Sequence, residues 1–349
     1  MKSILASRQL RLLCLLLVLL ITAVGCLAWR WLHVPFMVAP ANSANEIIFE
    51  VRSGDSLART AYRLKRETGL QYPRLLINYA RLTGLNNIKF GEFLLRPEQS
   101  PVSVLKTLVN GQVLHRSITF VEGTRVSDVL SLLKSERNLA ADATELNVQN
   151  LASVFGIEQS NPEGWLFPDT YQFTRQTSAW TLLEQSHKRM RQVLEQEWQQ
   201  RSPNLPYASP YEALIMASII EKETGVASER ERIAGVFVRR LQKGMRLQTD
   251  PTVIYGMGDS YRGDIKRKHL RQKTPYNTYV IKGLPPTPIA LPGREAIVAA
   301  LHPAPGRALY FVARGDGSHQ FSETLAEHQA AVRRYQLRRA EDYRSAPNG

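Results

Sequence analysis

The chain has 349 residues, enough for two ordinary domains with real cores. Its 45 Lys and Arg outweigh 31 Asp and Glu, and the resulting +14 favours an acidic partner: nucleic acid, anionic lipid or a polymer carrying carboxylates. The seven His show no metal-ligand spacing and no glycine loop of the phosphate-cradling kind appears, which sets aside metal-dependent and nucleotide-cradling classes.

Residues 12–29, LLCLLLVLLITAVGCLAW, carry no charge. Lys2, Arg8 and Arg11 precede them, and Arg30 follows between Trp29 and Trp31. This predicts a transmembrane helix over 12–32 with residues 1–11 in the cytoplasm and the rest of the chain outside it. The alternative of a cleaved signal peptide lacks a small-residue cleavage site after the apolar run. A lipoprotein box at Ala23-Val24-Gly25-Cys26 has an atypical first residue, and the apolar run continues past the cysteine. Both cysteines, Cys14 and Cys26, lie in this segment, so the exported part has neither disulfides nor thiol chemistry.

Residues 35–45, rich in Pro, Ala and Asn, read as a linker. Ile47–Val51 alternates like a strand, Arg52–Asp55 turns out of it, and Ser56 onward has a helical period ending at Gly69. The run Val51 to Leu57, Val-x-x-Gly-Asp-Ser-Leu, resembles the start of a LysM module, a small glycan-binding fold. Lys89–Leu95 reads as a strand and Ser103–Asn110 as a short helix closed by Gly111. Ile118–Thr124 followed by Val126–Leu133 repeats the plan of strand, glycine turn and helix. Glu163–Tyr171, EGWLFPDTY, reads as an aromatic loop running into a strand, with Trp165 and Phe167 either packing or offering a sugar platform. A long helix is expected over Ala179–Arg201.

Tyr211–Gly225, YEALIMASIIEKETG, is the most informative stretch. Ser209 is placed as N-cap, Pro210 at the first helical position and Glu212 where a capping box wants it. At about 100° per residue, the helix is apolar almost all round and is therefore buried. Glu221 and Glu223 leave its last turn among apolar neighbours, at the negative end of the helix dipole, where a carboxylate pKa rises. A carboxylic acid neutral near pH 7 is a competent general acid. Two residues apart on a helix, the pair diverges by roughly 200° and cannot flank a bond as in a two-carboxylate glycosidase. Periodicity does not choose between them. Ser228-Glu229-Arg230-Glu231 reads as a further capping box, opening a helix that runs through Ile233–Leu241 to Gly244. Met245–Gly258 and Tyr276–Gly293 read as polar, aromatic loops, the usual place for a site. Arg333, Arg334, Arg338 and Arg339 form a denser basic group, read as a solvated helix face.

Several of these motifs together resemble the endolytic murein transglycosylase family (MltG, or YceG-like). They are Ala217–Thr224 (ASIIEKET), Arg246–Gly256 (RLQTDPTVIYG), Tyr276–Tyr279 (YNTY), Gly283–Pro286 (GLPP) and His302-Pro303, with EGWLFPDTY upstream. The resemblance implies an α+β protein: an N-terminal transmembrane helix, a LysM-like βα module over 47–115, and a mixed α/β catalytic domain over 116–340. Residues 33–46 are then a linker and 341–349 a tail. It implies a peptidoglycan lytic transglycosylase, a lyase that cuts the β-1,4 bond between N-acetylmuramic acid and N-acetylglucosamine inside a strand and leaves a 1,6-anhydro end. Glu223 matches the family's catalytic residue. Gln248, Asp250, Tyr255, Asn277 and Tyr279 become candidates for substrate contact or loop fixing, and Glu221 for orienting the site or pairing with a basic residue. No metal or organic cofactor is required. The expected partners are glycan strands and the bacterial inner membrane, with a peptidoglycan synthase as a neighbour that no residue names, and no nucleic acid. The rival readings are a non-catalytic glycan-binding scaffold and a lysozyme-type hydrolase.

Overall fold

The uncharged run near the N-terminus forms α1 (Lys2–His33), and its stretch Leu10–His33 is long and apolar enough to cross a bilayer. Residues such as Leu12, Leu16 and Leu20 are exposed on it, the opposite of what a water-soluble helix tolerates. The structure, a computed structural model, describes residues 2–36, 46–158, 161–223 and 225–336. Most of the expected linker, the expected tail, and Arg338 and Arg339 lie outside them. The chain divides into two compact units, Met1–Arg116 and Ser117–Gly349.

In the first unit, β1 (Ile47–Val51) is followed by α2 (Leu57–Thr68), α3 (Pro73–Leu82), β2 (Gly91–Leu95) and α4 (Pro101–Asn110). β1 and β2 pair antiparallel from Ile47 opposite Leu95 to Val51 opposite Gly91, which sets Phe49 against Phe93 at the centre of the core. Local chemistry explains the boundaries. Ser56 caps α2 by accepting from the Arg59 N–H, and Gly69 ends it in the left-handed region. Ser100 does the same for α4, which begins at Pro101, earlier than its apolar period suggests. α3 opens on Pro73, its one start signal, without a side-chain cap. The expected strand at Lys89 begins at Gly91.

In the second unit, β3 (Arg116–Thr119) pairs with β4 (Thr170–Phe173), with α5 (Val126–Ser135) and α6 (Val148–Val154) between them in sequence. Then come α7 (Ala179–Gln199), α8 (Pro210–Glu223), α9 (Arg230–Gln242), α10 (Asp250–Met257), α11 (Arg267–Arg271), α12 (Arg294–Leu301), the hairpin β5 (Tyr310–Ala313) and β6 (His319–Ser322), and α13 (Leu325–Tyr335). One core cluster lies among β3, β4, α5 and α7. The larger one surrounds α8, every residue of which from Ala213 to Ile220 is buried, against α7, α9 and α12.

Three sequence expectations need correction. Met245–Gly258 is not all loop: α10 occupies Asp250–Met257, with Pro251 in its first turn, and it is too short for a periodic apolar stripe to declare it. Ser228 does not cap α9. It sits in a 3-10 turn over Ala227–Glu229, α9 starts at Arg230, and the Glu229 carboxylate is committed elsewhere, accepting from the His319 backbone N–H at 3.0 Å. The capping box of α8 is offset: Ser209 Oγ accepts from the Glu212 N–H, but Glu212 reaches one residue further back, to the Ala208 N–H at 2.6 Å.

Candidate active site

The last turn of α8 carries Glu221, Lys222 and Glu223, and the predicted divergence of the two carboxylates is what separates their environments. Glu221 Oε2 accepts from the backbone N–H of Gly293, the N-cap of α12, at 3.0 Å. Burial raises its pKa, the Gly293 bond opposes that, and Glu122 adds to the rise. One turn earlier, buried Ser218 Oγ accepts from the Ile289 N–H at 3.0 Å. Together they staple the Ile289–Gly293 loop to α8. Glu221 therefore works as a clamp on the polypeptide.

Glu223 points to the other side, into a cleft of about 740 Å³ bordered by Lys222, Gln248, Thr249, Asp250, Tyr279 and the β5–β6 hairpin. The residue as a whole is half-buried, while its carboxylate is enclosed. Burial pushes its pKa up to about 7; a hydrogen bond from Thr249 Oγ1 opposes the rise and the nearby Asp250 carboxylate adds to it. The group is therefore an acid near neutrality, with a hydroxyl donor in place to receive the charge once the proton leaves.

The Gln248–Asp250 segment is fixed from behind. Gln248 has a left-handed backbone, φ 53°, and its N–H donates to Thr278 O at 3.2 Å. The buried Arg240 guanidinium donates to Leu247 O at 2.8 Å, Arg246 O at 3.0 Å and Gln248 Oε1 at 3.2 Å. Thr249 N–H donates to Thr278 Oγ1 at 3.1 Å, and Thr278 Oγ1 lies 2.8 Å from Thr252 Oγ1. Tyr279 O–H donates to Asp250 Oδ1 at 2.7 Å, tying the two loops together across the cleft.

Of the candidates, then, Gln248, Asp250 and Tyr279 line the cleft with Glu223. Asn277 does not: it is fully buried, its Nδ2 donates to Gln272 O at 2.7 Å and His269 O at 3.0 Å, and its Oδ1 accepts from the Tyr279 N–H at 3.0 Å. It is a loop staple. Tyr255 also lies apart, donating its O–H to Glu163 Oε2 at 3.2 Å. Glu163, from the EGWLFPDTY loop, is buried, accepts from the Val126 N–H at 3.0 Å, and is pushed by burial up to about 7. Its neighbour Gly164 has φ 81°, and a Cβ there would stand 2.5 Å from Pro288 Cβ, so only glycine fits. Sequence reasoning missed Thr249, Thr278, Arg240 and Glu163. Thr249 and Thr278 each stand between two candidates and Glu163 opens a motif already singled out, whereas Arg240 carried no signal, since an arginine reveals its partner only once the chain is folded.

The YceG-like family model matches residues 49–334. The chain belongs to the YceG-like family. It is 31% identical over 314 residues, 84% of this chain and 86% of the relative, to a Bacillus subtilis protein named endolytic murein transglycosylase. A Streptococcus pneumoniae protein of the same name is 24% identical, over 90% of this chain and 62% of its own length. The crystal structure of a YceG-like protein from Listeria monocytogenes superposes with a TM-score of 0.52 at 28% identity, covering 82% of this chain and 99% of that one.

Proposed function

We propose that this YceG-like protein is a membrane-anchored endolytic lytic transglycosylase of peptidoglycan, in which Glu223 serves first as acid and then as base. The observation that carries the reading is the enclosed Glu223 carboxyl, held near pKa 7 in a cleft beside a hydroxyl donor. Protonated Glu223 gives its proton to the glycosidic oxygen as the bond from C1 of N-acetylmuramic acid breaks. The muramyl C6 hydroxyl oxygen then bonds to C1, and its proton passes to the Glu223 carboxylate, which restores the acid. The products are a 1,6-anhydromuramyl end and a free 4-hydroxyl on N-acetylglucosamine. Because the nucleophile is tethered to the sugar it attacks, its effective concentration is high and no second carboxylate is needed to activate water. That suits a helix whose other Glu holds a backbone amide. Asp250, Gln248 and Tyr279 face the region where positive charge develops on the ring, and a prearranged carboxylate there favours that transition state.

The remaining assignments belong to the same proposal. α1 anchors the protein in the inner membrane with its N-terminus in the cytoplasm, as the basic residues before it favour. Residues 47–115 act as a LysM-like, glycan-binding module, supported by the succession of strand, two helices and antiparallel strand. Residues 116–340 form the catalytic domain, and the net charge of +14 suits a glycan whose peptide stems carry carboxylates. Acting next to strand synthesis, the enzyme terminates nascent strands. The deciding experiment digests purified peptidoglycan with the protein and weighs the new ends. Anhydro ends support the proposal, reducing ends indicate a hydrolase, and an undigested polymer indicates a scaffold.

A further inference from the structure

α10 borders the Glu223 cleft with its first turn and a second hollow with its last. That second hollow, of about 390 Å³, is walled in part by Arg125, Ser127, Gln149, Glu163 and Tyr255. From Asp250 to Tyr255 the helix advances about 7–8 Å at 1.5 Å per residue. The hollow is built rather than incidental. The Tyr255 ring is backed by Tyr276, with centroids 4.9 Å apart, and its hydroxyl is anchored on buried Glu163. Glu163 is anchored in turn on the Val126 N–H. The Arg125 guanidinium lies over the Tyr255 ring, 5.0 Å from its centroid, so the two side chains form one stacked pair. The acids near Arg125 are Glu163, bonded to Tyr255, and Asp128, whose Oδ2 accepts from the Arg125 backbone N–H at 2.9 Å, and among the described residues no ion pair takes the Arg125 guanidinium. The Ser127 hydroxyl and Gln149 amide are exposed at the rim.

We infer that this hollow is a second subsite for the glycan, selective for a sugar that bears a carboxylate. The sugar lies against the stacked Arg125–Tyr255 pair, Gln149 and Ser127 bond its acetamido and hydroxyl groups, and Arg125 takes the carboxylate carried on the sugar or its peptide. This rests on the reading of the protein as a glycan-cleaving enzyme. A hollow lined by a cation stacked on an aromatic ring, an amide and a hydroxyl fits an N-acetylated sugar acid better than an apolar or a cationic ligand.

The test uses full-length protein in detergent carrying Glu223→Gln, which prevents turnover, with and without Arg125→Ala. Binding is measured by calorimetry with two probes: a peptidoglycan oligosaccharide with its peptide stems, and a carboxylate-free N-acetylglucosamine oligomer. The expected result is that Arg125→Ala weakens the carboxylate-bearing probe about tenfold, as loss of one charge-assisted contact implies, and leaves the neutral oligomer unchanged. Gln149→Ala, a rim substitution with no structural bond to lose, is expected to weaken both probes. Equal affinities with and without Arg125 overturn the inference, and so does an equal loss for both probes on Arg125→Ala. A protein that cleaves peptidoglycan with Glu223 in place yet passes no such discrimination through Arg125 refutes the subsite alone. A protein that neither binds nor cleaves glycan refutes the function on which it rests.

Discussion

Glu223 and Glu163 are two enclosed carboxyls that burial pushes to about 7, and they have opposite surroundings. Glu163 is held by fixed donors, a backbone N–H and a tyrosine hydroxyl, and its oxygens are spent on architecture. Among the described residues Glu223 has one donor, the Thr249 hydroxyl, and it borders an open cleft. A raised pKa therefore marks burial. Chemistry requires in addition that a reacting atom can reach the carboxyl.

The largest expected effect separates the two directly. Glu223→Gln keeps the shape and removes the proton, so peptidoglycan turnover should fall by about 100- to 10,000-fold, whereas Glu163→Gln should leave kcat within a factor of a few. Release of anhydro ends, followed by mass, gives both numbers. Equal losses would erase the distinction.

The next effect is on stability against pH. Each carboxyl binds its proton more tightly folded than unfolded, since its pKa rises from 4.5 to about 7. The stabilisation is thus full below pH about 4.5 and is lost as pH rises through about 7. For deeply buried Glu163 the loss is on the order of a few kcal/mol. Denaturant melts between pH 4.5 and 8 should show a flatter decline in Glu163→Gln than in the wild type. A parallel decline would mean that Glu163 is not an acid in this range.

Gly164→Ala sharpens the architectural side, because the left-handed backbone and the approach of Pro288 leave no room for a methyl group. The cost should be about 1–3 kcal/mol, read as a lower midpoint in the same melts. The smallest effect concerns the other Glu of α8. Glu221→Ala removes the acceptor of the Gly293 N–H and should cost about 1 kcal/mol, with the alkaline limb of the rate profile, where Glu223 loses its proton, unmoved. A shift of that limb would bring Glu221 into the chemistry.

Much of the fold was legible because its signals are local. Ser56 and Gly69 bracket α2, Ser100 and Gly111 bracket α4, and the unbroken apolar surface of α8 required burial. α10 was missed because eight residues with a proline in the first turn and a glycine inside resemble a loop. The second capping box misled because Ser228 is drawn into a 3-10 turn over Ala227–Glu229 and α9 starts only at Arg230. In the site, helical geometry alone showed that Glu221 and Glu223 face different ways.

The burial of α8, the divergence of its two acids and the family its motifs resemble all follow from periodicity and motif order, which are properties of the chain. The use of each polar group depended on folding. Asn277 looked as suited to a sugar as Gln248, yet it is fully buried and spends its amide on the Gln272 and His269 carbonyls, while Asp250 and Tyr279 bond each other and still line the cleft. A hydrogen-bonding side chain takes the partner that folding brings within about 3 Å, and those partners come from segments that sequence spacing does not connect.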